Sequence, residues 1–146
     1  MKEYDEYQNF KRYRNGFYAL WILVSLYMGN LVLTGLTDIQ WAETHRLEST
    51  IIIVFSVTCM TVLNVYTGAH FAKWENPIII SIISIISGLL FMSSSILSYQ
   101  PIIEDGKLTM HATSLLVGLN FLALPVTYLV RISVEKIKDA KTGEEE

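Results

Sequence analysis

Charge is scarce in this chain. Only 17% of its 146 residues are Asp, Glu, Lys or Arg, where an ordinary soluble domain carries about 25%. Cysteine is nearly absent. Cys59 stands alone, which excludes an intrachain disulfide scaffold and leaves a small packing residue as its default role. A net charge of −3, with no phosphate-binding loop, dinucleotide fingerprint, CxxC pair or nucleic-acid module, gives no ground for a nucleic-acid partner. No internal repeat is visible. The length allows one domain. A hydrophobic fraction of 51% is too high for a disordered chain.

What is present is long uncharged stretches. There are 23 residues without a charge between Arg14 and Asp38, 24 between Glu48 and Lys73, 28 between Glu75 and Glu104, and 23 between Lys107 and Arg131. A helix needs about 20 mostly apolar residues to cross a hydrocarbon core of roughly 30 Å. In lipid, each backbone polar group must find its partner inside the segment, so each run is expected to be α-helical. The runs lack the two-residue alternation of a transmembrane barrel. The expected fold is an all-α membrane protein, a four-helix antiparallel transmembrane bundle over residues 15–131. Its helices are placed at 15–37, 49–71, 77–99 and 108–131, and the short loops argue that successive helices run antiparallel. Residues 1–14 read as an interfacial N-terminal segment, either an amphipathic helix on the membrane surface or a disordered lead-in. Residues 132–146 read as a tail that continues the last helix to about Ala140 and ends in three solvated glutamates. The first run is too long for a signal-peptide core and follows a segment of mixed charge, so it is read as a retained helix.

Basic residues set the expected orientation. Lys2, Lys11, Arg12, Arg14, Lys73, Arg131, Lys136, Lys138 and Lys141 fall on one side, and only Arg46 and Lys107 on the other. The rich side stays in the cytoplasm, so both termini are expected there, in a plasma membrane and, from the short loops and general style, a bacterial one. The aromatic residues Trp21, Trp74 and Tyr128 mark the inner boundary, and Trp41 and Tyr99 the outer.

Helix association in lipid depends on small residues and interhelical hydrogen bonds. On the third helix Ser81, Ser84, Gly88 and Ser95 fall within about a 60° arc, a packing stripe for a neighbouring helix. Its use between copies would make an oligomer sensitive to Ser84→Leu or Gly88→Leu. Asn30, Asn64 and Asn120 are the polar contacts expected inside the membrane, since an amide in hydrocarbon must find a partner. They either tie helices together or line a polar path, and Asn30 and Asn120 lie at similar depth, where they could pair. Pro125 is expected to kink the last helix.

No Asp, Glu, Lys or Arg lies deep in a span, whereas proton-coupled transporters and ion pumps usually carry one there. No catalytic set is evident, and a Ser114–His111 pair is the only conceivable dyad. The outer face gathers Asp38, Glu43, His45, Glu48, Glu104, Asp105 and His111. These read as a solvated acidic rim, with His45, His111, Glu43 and Glu104 as a weak alternative metal set that lacks any HxxxH or HExxH spacing. No cofactor is expected. The functional expectation is a non-enzymatic interaction, accessory or regulatory protein, of immunity type among others. It would act through helix contacts in the bilayer, with itself or with another membrane protein. The alternatives are an oligomeric transporter or channel subunit with an asparagine-lined path, and an outer-face metal enzyme.

Overall fold

The computed structural model describes residues 4–37, 39–98 and 101–142. Four helices carry the chain: α1 (Glu6–Thr37), α2 (His45–Tyr66), α3 (Pro77–Leu97) and α4 (Met110–Thr142). Each is long and apolar enough to cross a membrane, and together they indicate a membrane protein. Lys2, Asp38, Tyr99 and the glutamate-ended tail, to which some of the sequence expectations attach, lie outside the described residues.

The four uncharged runs are helices, but their ends differ from expectation for local reasons. α1 begins at Glu6 instead of residue 15, because Asp5 and Gln8 form a capping box. The Gln8 amide donates to Asp5 Oδ1 at 2.6 Å, and the Asp5 amide donates to Gln8 Oε1 at 3.3 Å, so two otherwise orphaned N–H groups are satisfied. From Glu6 onward the N-terminal segment is therefore continuous with the span and is not a separate surface helix. At about 1.5 Å per residue α1 is ~48 Å long, well beyond the ~30 Å of a hydrocarbon core.

α2 starts at His45 rather than residue 49. Its N-cap Thr44 accepts a hydrogen bond from the Leu47 amide. It stops at Tyr66 rather than residue 71, although the apolar run continues. Gly68 takes φ +75°, the Gly68 amide donates to the Val65 carbonyl at 3.2 Å, and the Ala69 amide to the Asn64 carbonyl at 2.8 Å. This is a Schellman ending, which needs a residue at ease in the left-handed region. α3 begins at Pro77 as expected, with Asn76 as N-cap accepting from the Ile78 amide at 3.0 Å, since a proline at the first helical position sacrifices no needed donor. α4 continues through Pro125 to Thr142.

One element was not anticipated. β1 (Ile103–Glu104) and β2 (Lys107–Leu108) form an antiparallel hairpin. Asp105 and Gly106, both at positive φ, make its two-residue turn, a pairing that suits the twist of adjacent strands. The other edge of β2 holds the α1–α2 connection: Leu108 donates to the Trp41 carbonyl and accepts from the Glu43 amide, each at 3.0 Å.

The helices pack in the order α1 on α2, α2 on α4, and α4 on α3. Val65, Phe71 and Leu124 form a small core, with Ile80 and Tyr128 against it. The α3–α4 seam is the tightest. A Cβ on Gly88 would lie 2.9 Å from the Gly118 carbonyl oxygen, and one on Gly118 would lie 2.6 Å from Met92 Cγ, so both positions must be glycine for the backbones to come this close. Phe91 stacks on Phe121 beside them, with ring centroids 5.7 Å apart. Ser81, Ser84, Gly88 and Ser95 are all buried, and Ser95 Oγ donates to the His111 carbonyl at 2.9 Å. The small-residue stripe is thus occupied by the chain's own α4.

Candidate functional site

Two polar nodes join the helices. The first centres on Glu48, in the opening turn of α2. Its side chain has no exposed surface. Oε1 accepts from the Trp41 amide at 3.1 Å, and Oε2 from Asn30 Nδ2 at 3.2 Å. His45 Nδ1 lies 3.2 Å from Oε2. Asn30 is held from its other side, because Trp41 Nε1 donates to its Oδ1 at 2.6 Å. A carboxylate only accepts, and here donors converge on it from α1, from the connection and from its own helix. Trp41 in turn is placed by its bond to Leu108 of the hairpin. A cavity of about 260 Å³ opens against the node, lined by Tyr27, Asn30, Leu31, Thr34, His45, Glu48 and Ser49.

The second node lies where α2 ends. Asn15, 1% exposed, donates from Nδ2 to Asn64 Oδ1 and to Thr67 Oγ1, each at 3.0 Å. Around it, Lys11 Nζ donates to the Thr67 carbonyl at 2.9 Å and Gln8 Nε2 to the Gly68 carbonyl at 3.2 Å. From α4, Arg131 Nη1 reaches the Val65 carbonyl at 3.4 Å. Cations from two helices thus meet the partial negative charge at the end of a third, each such contact contributing about 0.3–1 kcal/mol. In the next loop His70 packs edge-on against Phe71, centroids 5.0 Å apart. Burial holds its pKa below the ordinary 6.5. Glu75 pulls the other way, and the charge of Arg12 lowers it further.

The sign for stability follows. Below pH 6.5 the unfolded chain binds a proton at His70 that the folded chain does not, so stability is fully present above 6.5 and is lost as pH falls toward the depressed folded value. The melting temperature in detergent is expected to drop between pH 7.5 and 5.5, with a smaller drop for His70→Gln. An equal drop in both proteins would contradict the assignment to His70.

The three flagged asparagines do not come together. Asn30 belongs to the Glu48 node and Asn64 to the second node, while Asn120 Oδ1 is buried without a hydrogen-bond partner. The weak metal set is likewise divided. Glu43, Glu104 and His111 line a cavity of about 340 Å³ with Pro101, Thr109 and Met110, whereas His45 pairs with Glu48. Among the described residues no three His, Cys, Asp or Glu side chains are placed to hold a metal ion. Glu48 is not part of a solvated rim. His111 Nδ1 lies 3.2 Å from Ser98 Oγ, at the end of α3. Pro125 is buried inside α4.

The sequence reading missed Asn15, Gln8 and the pairing of Glu48. Asp5-x-x-Gln8 was a legible capping pattern. Asn15 and Glu48 each adjoin a charge-bearing boundary, and nothing local distinguishes them from wet residues. No protein-family model, curated protein or solved structure matches this chain.

Proposed function

We propose that this chain is a non-enzymatic four-pass protein of a bacterial plasma membrane. Its helices run antiparallel, both termini are cytoplasmic, and it acts by docking its first helix against a partner helix in the bilayer. Nine basic residues on one side against two on the other support the orientation. The observation that carries the docking reading is the state of α1. Only 6% of its apolar window is buried within the chain, against 22% for each of the other three helices. Ser25 and Gly29, one turn apart, are exposed on it, and a Cβ added at Gly29 would meet nothing within 4 Å. Lipid supplies no hydrophobic drive between helices, and small residues that admit a second backbone are what association uses. The stripe on α3 is already filled, so α1 offers the open surface. A transport path through Asn30, Asn64 and Asn120 has less support, because the three have separate surroundings.

Photo-cross-linking residues placed at Ser25 and Gly29 are expected to give membrane-embedded adducts, to a second copy or to another protein. The same residue at lipid-facing Ile83 of α3 should give none. Monomer alone at all three positions would remove the proposal.

A further inference from the structure

The α1–α2 seam has two flanks. At 100° per residue Gly16, Leu20, Leu23, Tyr27 and Thr34 fall within about a 60° arc of α1, and Ser25 and Gly29 lie on the opposite side. On the first flank two hollows follow one another along the seam. One, of about 220 Å³, is apolar, with Leu20, Leu23, Ile53, Val57 and Met60 in its wall. The other is the cavity of about 260 Å³ against the Glu48 node. Leu23 of the first and Tyr27 of the second are one turn apart on α1, as are Ile53 and Ser49 on α2, so about 6 Å separates the two hollows along the helices. Gly16 keeps the apolar one open. A Cβ there would lie 3.9 Å from Met60 Cε, an ordinary contact, so a longer side chain at this position would enter the space.

The Glu48 end presents acceptors. Thr34 Oγ1 spends its hydrogen on the Asn30 carbonyl at 2.9 Å, and Ser49 Oγ spends its own on the His45 carbonyl at 3.0 Å. Both hydroxyls therefore have only lone pairs left for a ligand. The phenol oxygen of Tyr27, also in the wall, can accept as well. Glu48 supplies negative charge. Its side chain is wholly buried and reaches the cavity through its field rather than by contact. Among the described residues the one basic side chain lining this cavity is His45. Lone pairs backed by a carboxylate suit a cation that carries N–H groups. The apolar hollow one turn away suits a hydrocarbon chain.

We infer that this flank of the α1–α2 seam binds a lipid with a primary ammonium head, of the phosphatidylethanolamine class. The ammonium lies among Thr34, Ser49 and Tyr27, and an acyl chain runs along the seam into the hollow beside Gly16. Lipid tails gain nothing from leaving other tails, so the head supplies the selection and the hollow only admits the chain. The site and the docking surface at Ser25 and Gly29 are on opposite sides of α1, and either can fail without the other.

The full chain, purified in detergent, is titrated with phosphatidylethanolamine, phosphatidylcholine and phosphatidylglycerol, and bound lipid is counted by native mass spectrometry. Phosphatidylcholine keeps the positive charge but has no N–H, and phosphatidylglycerol has no ammonium. Wild-type protein is expected to bind phosphatidylethanolamine about tenfold more tightly than either, the size of one to two hydrogen bonds to a charged group. Thr34→Val with Ser49→Ala should remove that preference. Tyr27→Phe deletes one oxygen from an exposed ring and should reduce the preference several-fold, which keeps the test available if the double variant loses its helicity. Gly16→Leu should weaken all three lipids alike and leave their ratio unchanged. Equal binding of phosphatidylethanolamine and phosphatidylcholine by wild-type protein overturns the site. A full preference retained by folded Thr34→Val/Ser49→Ala protein, or by Tyr27→Phe, overturns the placement of the head, and unchanged binding by Gly16→Leu overturns that of the chain.

Discussion

Glu48→Ala is expected to destabilise the detergent-solubilised protein by about 3 kcal/mol, within the range for breaking a buried charged network. The change removes an acceptor that serves the Trp41 amide, Asn30 Nδ2 and His45 together, and it leaves those donors facing one another. Asn30 also loses the contact that orients it toward Trp41 Nε1. Glu48→Gln keeps the volume and one acceptor but turns an N–H toward converging donors, so about half of that loss is expected. Unfolding can be followed by Trp41 emission in a protein with Trp21 and Trp74, both exposed, changed to Phe. A loss under about 0.5 kcal/mol for Glu48→Ala, the size typical of a surface substitution, would show that the node does not hold α1 to α2.

The second large effect is a contrast between two glycines. Gly118→Ala places a methyl 2.9 Å from the Gly88 carbonyl oxygen and 3.2 Å from the Met92 amide nitrogen. Both obstacles are backbone, so α3 must move and the Phe91–Phe121 stack must loosen. Overpacking of this kind costs about 1–3 kcal/mol. Gly29→Ala meets nothing and relieves the flexibility of glycine in a helix, so stability should hold or rise by up to about 1 kcal/mol. Thermal unfolding of the two variants should therefore shift in opposite directions, or at least only the first should fall. Equal shifts would mean that the α3–α4 seam is not the tight contact described.

The four helices were legible because solvation acts on whole segments: a stretch of more than twenty residues without charge has few other places to go. The start of α3 was legible from Asn76-Pro77, which acts through purely local geometry. The end of α2 was not, because hydropathy continues past the point where Gly68 turns the chain, and composition is blind to backbone angle. The asparagines were recognised as groups in need of partners, but their partners come from other helices. Pairing of Asn15 with Asn64 and of Asn30 with Glu48 is a property of packing that no spacing within one helix encodes. Glu48 shows the limit most clearly. A charge beside a loop reads as wet, and only the arrival of Asn30 and Trp41 makes it dry. Asp105 and Gly106 make the hairpin turn, but strands of two residues each leave no periodicity to read.

The seam between α1 and α2 has a mechanical consequence. α1 is fastened at Asn15 and at Asn30, about 22 Å apart along its axis, and hollows of about 220 Å³ and 290 Å³ flank the stretch between them. It is a beam on two supports. Cutting either support leaves a cantilever that swings about the other, and acyl chains can enter the widening gap while the helix stays attached. Damage at one fastening would thus open the protein sideways to lipid without taking it apart.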